Sequence, residues 1–591
     1  MALLIDLFGY LSIVLHGLTI AAQSAMLGGV LFLVFLARPL GTSLGRAGGA
    51  IQAGTARIAA WSAVALILFE AISLAMQIAM LVGTVELSVG KAFGASFATA
   101  GLVKIAAALA IAIALFSRGG AVAGAMGGAR PSHATPPGTP NAALLGLALL
   151  ELAAATLTTH AAARIVGREP LLLVAGLHQL GAAIWIGGIP SFLLALSLVH
   201  DGRSLRAIGA RFSRMSMVGV ACILLSGVAM GVMYIGDWQG FYGTAYGVMV
   251  GAKTLMFLCL LALGFGNYRL VARLGRDPAT PVNRLKRFAE VEIGIGVAIF
   301  FAAASLTSVP PAVDLTQDRV TLQEIVARNT PELPRLRSPD IDSLALPQLQ
   351  ARLDAEAAAR RAAPVAAVIP GSGMIHPRNA ADIAWSEYNH HWSGLFVLAI
   401  AVLALLNQAG LRLARHWPLV FLGLAGFLFL RSDPEVWPLG AVGFFESFRD
   451  VEVLQHRVFV VLIVAFALFE WRVRAGGWQN QRAAMVFPPQ AAIMFPPRAA
   501  ITFPPRAAMV FPLMCVVGSV LLLTHSHAIA NVKEQLLIEL SHTPLALAGL
   551  AAGLARWLEL RLDPPGNRIA GWIWPVCFLF VGYLLLSYRE A

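Results

Sequence analysis

The chain has 591 residues, 58% of them hydrophobic and only 13% charged, with a mean hydropathy of +0.75. Soluble domains carry about a quarter charged residues, so the composition excludes a soluble protein and points to a polytopic membrane protein. The formal net charge of +12 does not suggest nucleic acid, because the basic residues fall in short loops between apolar runs, where they act as topology signals.

Fourteen apolar runs are predicted as membrane helices, near 8–37, 58–83, 95–117, 142–163, 170–199, 213–235, 247–270, 288–309, 392–410, 416–431, 455–472, 508–527, 543–560 and 569–588. The expected fold is therefore all-α. The first run is too long for a signal-peptide core and reads as a retained span. Arginines cluster in alternate loops: Arg38, Arg46 and Arg57, then Arg118 and Arg130, then Arg203 to Arg214, Arg269 to Arg287, and Arg472 to Arg482. Those loops are expected to be cytoplasmic. Both termini and the polar segment 311–390 are then expected outside.

The first eight runs read as two parallel four-helix repeats, residues 1–150 and 151–310. Leu15-His16-Gly17-Leu18 echoes Leu177-His178-Gln179-Leu180, and Arg57 and Arg211 both open a following span. Lys104 matches Lys253, and Ala153 to Thr158 matches Ala302 to Thr307. Such parallel repeats occur in transporters. After the loop 311–390, residues 391–591 form a predicted six-helix domain. It is interrupted at 483–512 by a period-8 tandem whose paired prolines cannot continue a helix. That tandem reads as a local expansion, and its deletion is expected to leave metal content unchanged. The four cysteines, Cys222, Cys259, Cys515 and Cys577, lie in apolar runs without a CxxC pair, which argues for small buried hydrophobes.

Of thirteen histidines, His133, His200 and His416 fall on the basic side and His376 in the outer loop. The other nine, His16, His160, His178, His390, His391, His456, His525, His527 and His542, fall at or near the predicted outer ends of spans. Imidazole suits copper, zinc and iron, and no cysteine or carboxylate cluster competes for that role. Metal coordination at the outer face is the predicted chemistry, with two facing histidines clamping a b-type haem as the alternative. Histidines packed singly at the interface are the plain reading. Four charges lie inside spans: Glu70 and Glu151 near mid-membrane, Lys104 and Lys253 nearer the outer face. They are expected to pair with one another, line a polar path or fix helix register. A GxxxxGK[ST] loop is absent, so the chain is not expected to be an ATP-driven pump or another enzyme.

Several of these features resemble the CopD/PcoD copper resistance membrane proteins. They are His160 between Thr159 and Ala161, Leu177-His178 through Trp185-Ile186-Gly187-Gly188, and Arg211-Phe212-Ser213. Gly243-Thr244-Ala245-Tyr246-Gly247 before Lys253 and the closing Leu306-Thr307-Ser308-Val309-Pro310-Pro311 complete the match. The resemblance is good over about 150–310 and weaker over 1–150. It implies a bacterial inner-membrane protein for copper movement or resistance, working beside a periplasmic copper carrier of the CopC type. His16, His160 and His178 would then form or feed one copper site, and the six later histidines a second. No Met-rich motif stands near the histidines. The runner-up is a haem-binding membrane cytochrome or an oxidase-assembly factor.

Overall fold

In hydrocarbon a backbone must satisfy its own hydrogen bonds, which a helix does within one segment. Every regular element among the described residues is helical. The computed structural model describes residues 2–85, 87–126, 140–164, 167–315, 319–330, 332–341, 344, 380–449, 451–475, 506–524 and 532–590. They divide into two units, the first drawn mainly from residues 1–319 and the second mainly from the remainder.

The first unit holds α1 (Ala2–Phe32), α2 (Gly45–Val85), α3 (Ser96–Met126), α4 (Asn141–Thr156), α5 (Arg168–Ala182), α6 (Ile189–Leu198), α7 (Gly202–Tyr234), α8 (Ala245–Leu274) and α9 (Asn283–Leu306). A π-helical turn, Ala183–Gly187, joins α5 to α6 as one span. Sequence neighbours pack in the same order in both sets: α1 on α2, α2 on α3, α3 on α4, then α5 on α7, α7 on α8 and α8 on α9. The two sets are not independent bodies, because α1 also packs on α9 and on the π turn. Without a hydrophobic drive between helices in lipid, small residues decide such crossings. A Cβ on Gly28 would collide with the Gly187 backbone, and one on Gly187 would collide with the Ser24 carbonyl.

A second π turn, Leu33–Ala37, follows α1. A π turn shifts the helical hydrogen-bond ladder and leaves carbonyls to be satisfied from outside. Here Arg211 Nε donates to the Phe35 carbonyl at 2.6 Å and Gln52 Nε2 to that of Ala37 at 3.2 Å. The matched Ala-Ala-Thr and Ala-Ala-Ser segments both sit at helix ends. Thr156 Oγ1 returns to the Ala153 carbonyl at 2.7 Å and Thr307 Oγ1 to that of Ala304 at 2.6 Å.

The second unit holds α10 (Ala380–Gln408), α11 (Val420–Arg431), α12 (Val451–Arg474), α13 (Val510–Leu523), α14 (Val532–Arg561) and α15 (Gly566–Leu586). α10 and α14 both pack on α15, α13 on α14, and α11 on α12. Trp417, Phe511 and Trp574 fill its core with Ile400, Phe466 and Ala552.

Eleven described helices are long and apolar enough to cross a membrane, where fourteen spans were expected. The shortfall lies in three places. α4 stops at Thr156, where Thr156, Thr158 and Thr159 each turn a hydroxyl onto a backbone carbonyl of the preceding turn. The apolar helix Ala507–Leu523 is also short. α12 has 24 residues but is not among the eleven. Most of the tandem, residues 483–505, lies outside the described residues, as do His133, His376, His525 and His527.

Candidate functional site

His178 stands on α5 and is half-buried. Its Nδ1 lies 2.9 Å from Ser226 Oγ on α7. The Ser226 hydroxyl is itself 2.6 Å from the Cys222 carbonyl and 3.2 Å from that of Ile223, so its single proton is committed to the backbone. Ser226 Oγ must then accept, and His178 Nδ1 must carry the proton. That tautomer leaves Nε2 with a free lone pair, the form in which imidazole binds a metal. Beside it, Gln23 Nε2 of α1 donates to Gln179 Oε1 at 2.9 Å. Lys253 of α8 is half-buried and within electrostatic reach of His178.

Buried Lys104 and half-buried Glu70 form an ion pair at 2.7 Å between α3 and α2. Glu151 on α4 is fully buried, with neither carboxylate oxygen hydrogen-bonded among the described residues, and it feels both Lys104 and Glu70. Lys253 has no such carboxylate partner among the described residues. Lys104 and Lys253, expected to correspond in a repeat, thus have different surroundings.

His390, His391, His456 and His542 are each engaged by neighbouring groups. His16 is half-buried on α1, and the side chain of His160 lies outside the described residues. His390 stacks on Tyr588 with ring centres 3.8 Å apart, its Nδ1 2.8 Å from the Ser386 carbonyl. His391 is buried with both nitrogens engaged: the Arg335 backbone N–H donates to Nδ1 at 2.7 Å, and Nε2 lies 2.8 Å from the Tyr588 carbonyl. His456 Nδ1 meets Asp433 Oδ1 at 2.7 Å, a carboxylate-oriented imidazole. His542 Nδ1 lies 3.0 Å from the Ile538 carbonyl of its own helix. Among the described residues no three His, Cys, Asp or Glu side chains gather as a metal-holding group. His390, His391, His456 and His542 are not gathered as such a group among the described residues, and the other two histidines of the expected second cluster, His525 and His527, lie outside them.

Polar residues outside the predicted set are also placed. Glu292 on α9 is buried and accepts from Trp185 Nε1 at 3.2 Å and from Asn267 Nδ2 at 2.7 Å. In the second unit Arg474 donates to Glu470 at 2.7 Å, Arg556 to Glu559 at 2.7 Å, and Trp574 Nε1 to Glu559 at 2.7 Å. Glu292 had a sequence signal, an acid well inside an apolar run, but Glu290 just before it made the pair resemble a helix entry. Arg474, Arg556 and Glu559 sit at span ends, where charges are ordinary.

The copper resistance protein D family matches residues 206–306, which comprise most of α7, α8 and α9. The copper transport protein CutJ of Bacillus subtilis (strain 168) is 31% identical over 163 residues, covering 27% of this chain and 29% of that protein. The alignment thus spans less than a third of the relative. No solved structure matches.

Proposed function

We propose, from the copper resistance protein D segment this chain carries, that it binds copper near His178 and moves the ion across the membrane without enzymatic chemistry. The observation that carries this reading is the Ser226-held tautomer of His178, which presents Nε2 as a ligand. The site lies at the outer face of a bacterial inner membrane, with both termini outside and a periplasmic carrier of the CopC type supplying or receiving the ion. His16 and His160 are the candidate co-ligands. The name of the CutJ relative supports the same cargo.

Metal content of the purified protein tests the site. His178→Ala is expected to lose most bound copper while accumulating normally. Ser226→Ala keeps the imidazole but frees its tautomer, so copper affinity is expected to fall about 10- to 100-fold. Unchanged copper in both variants would show that His178 is only packed. A positive charge on Lys253, within electrostatic reach of His178, opposes a metal ion bound there. Lys253→Met is expected to slow loss of copper to a chelator, and faster loss would contradict that arrangement.

A further inference from the structure

The first unit contains a cavity of about 450 Å³ lined by Trp185, Phe192, Phe212, Phe265, Tyr268 and Glu292, among others. It lies among α5–α6, α7, α8 and α9, within about two turns of the ends of α8 and α9 that lead into the arginine-rich loop. We propose that Glu292 is a proton-binding carboxylate whose loading and release accompany copper movement. The coupling rests on the transport reading above, whereas the proton site does not.

Glu70 is met by Lys104, Glu387 by Arg335 and Glu470 by Arg474, but no described cation pairs with Glu292. A buried carboxylate without a counter-charge is costly, and a proton is the smallest remedy. Its two partners, Trp185 and Asn267, are neutral donors. Each occupies one lone pair of one oxygen, so the carboxyl group can hold or release a proton without breaking either bond.

The surroundings supply a route. Asn267 Oδ1 and the Ser216 hydroxyl line the same cavity, and both are buried polar atoms with no hydrogen-bond partner among the described residues. The cavity is many times larger than a single water needs, and a water requires such polar partners. Few other groups compete for the proton. Neither α5–α6 nor α7 contributes a titratable side chain to the lining, and α8 contributes only Tyr268. Glu290 on α9 is paired with Arg287. α1, packed behind α9, carries its titratable residues, Asp6, Tyr10 and His16, in its first half. Trp185 gives the connection: it belongs to the π turn of the span that also carries His178. Protonation weakens the Trp185 bond to Glu292 without breaking it, and that change acts on the element holding the copper ligand.

The test uses the full chain in liposomes. Dicyclohexylcarbodiimide attacks protonated carboxyl groups in apolar sites, and mass spectrometry locates the adduct. Glu292 is expected to be modified, faster as the pH is lowered from about 8 to about 5, while Glu292→Gln carries no adduct in that peptide. Copper movement driven by an imposed pH gradient is expected to fall at least about tenfold in Glu292→Gln. Copper exchange at equal pH persists in that variant, and Glu292→Asp restores gradient-driven movement. An unmodified Glu292 at every pH, or undiminished gradient-driven movement in Glu292→Gln, overturns the proposal. If the wild type moves no copper at all, the transport reading fails, and the carbodiimide result alone decides the proton site.

Discussion

Gly187→Leu is expected to abolish accumulation of folded protein. α1 and the span carrying His178 cross with Gly187 against the Ser24 carbonyl and Gly28 against the Gly187 backbone. A leucine side chain there must drive the two backbones apart, and neither neighbour is a flexible side-chain tip that can yield. Overpacking costs typically 1–3 kcal/mol in a yielding core; a backbone contact leaves less room to adapt. Gly49→Ala is the control, because a Cβ there meets nothing within 4 Å. The measurement is the monodisperse fraction after mild detergent extraction. Normal recovery of Gly187→Leu would mean that the crossing is not as close as described.

The second large effect concerns Lys104. Its ammonium is the described ion-pair partner of half-buried Glu70, and fully buried Glu151 also feels its charge. Lys104→Met leaves one or two carboxylates buried without compensation, which costs about 3–5 kcal/mol in comparable cases. The double variant Lys104→Met/Glu70→Leu removes the stranded charge and is expected to recover much of the loss. Thermal unfolding in detergent reads both. If the single variant is as stable as the wild type, the pair is solvated rather than buried.

Much of the architecture was legible because lipid imposes a simple rule: apolar runs of spanning length become helices. The Ala-Ala-Thr and Ala-Ala-Ser ends, read in the sequence as a repeat, both fall at helix ends. Hydropathy gives no account of how the two four-helix sets interlock, since that depends on which glycines meet. The π turns were also hidden, because Leu33–Ala37 and Ala183–Gly187 are as apolar as their flanks. At the candidate site, His178 stood out as a polar residue in an apolar run. Ser226 did not, because serine is unremarkable in a membrane helix and its role depends on where its proton goes. The histidines of the second unit shared a predicted layer, yet a layer fixes only one coordinate. His391 spends both nitrogens on backbone groups, which no sequence spacing discloses.

The most direct test of the account is copper movement by the purified full chain in sealed liposomes, followed with a copper-sensitive dye trapped inside. The wild type is expected to admit copper well above protein-free vesicles, with His178→Ala near the background and Gly49→Ala unchanged. Entry at equal rates through wild type and His178→Ala, or no entry above protein-free vesicles, would contradict a copper path that begins at His178.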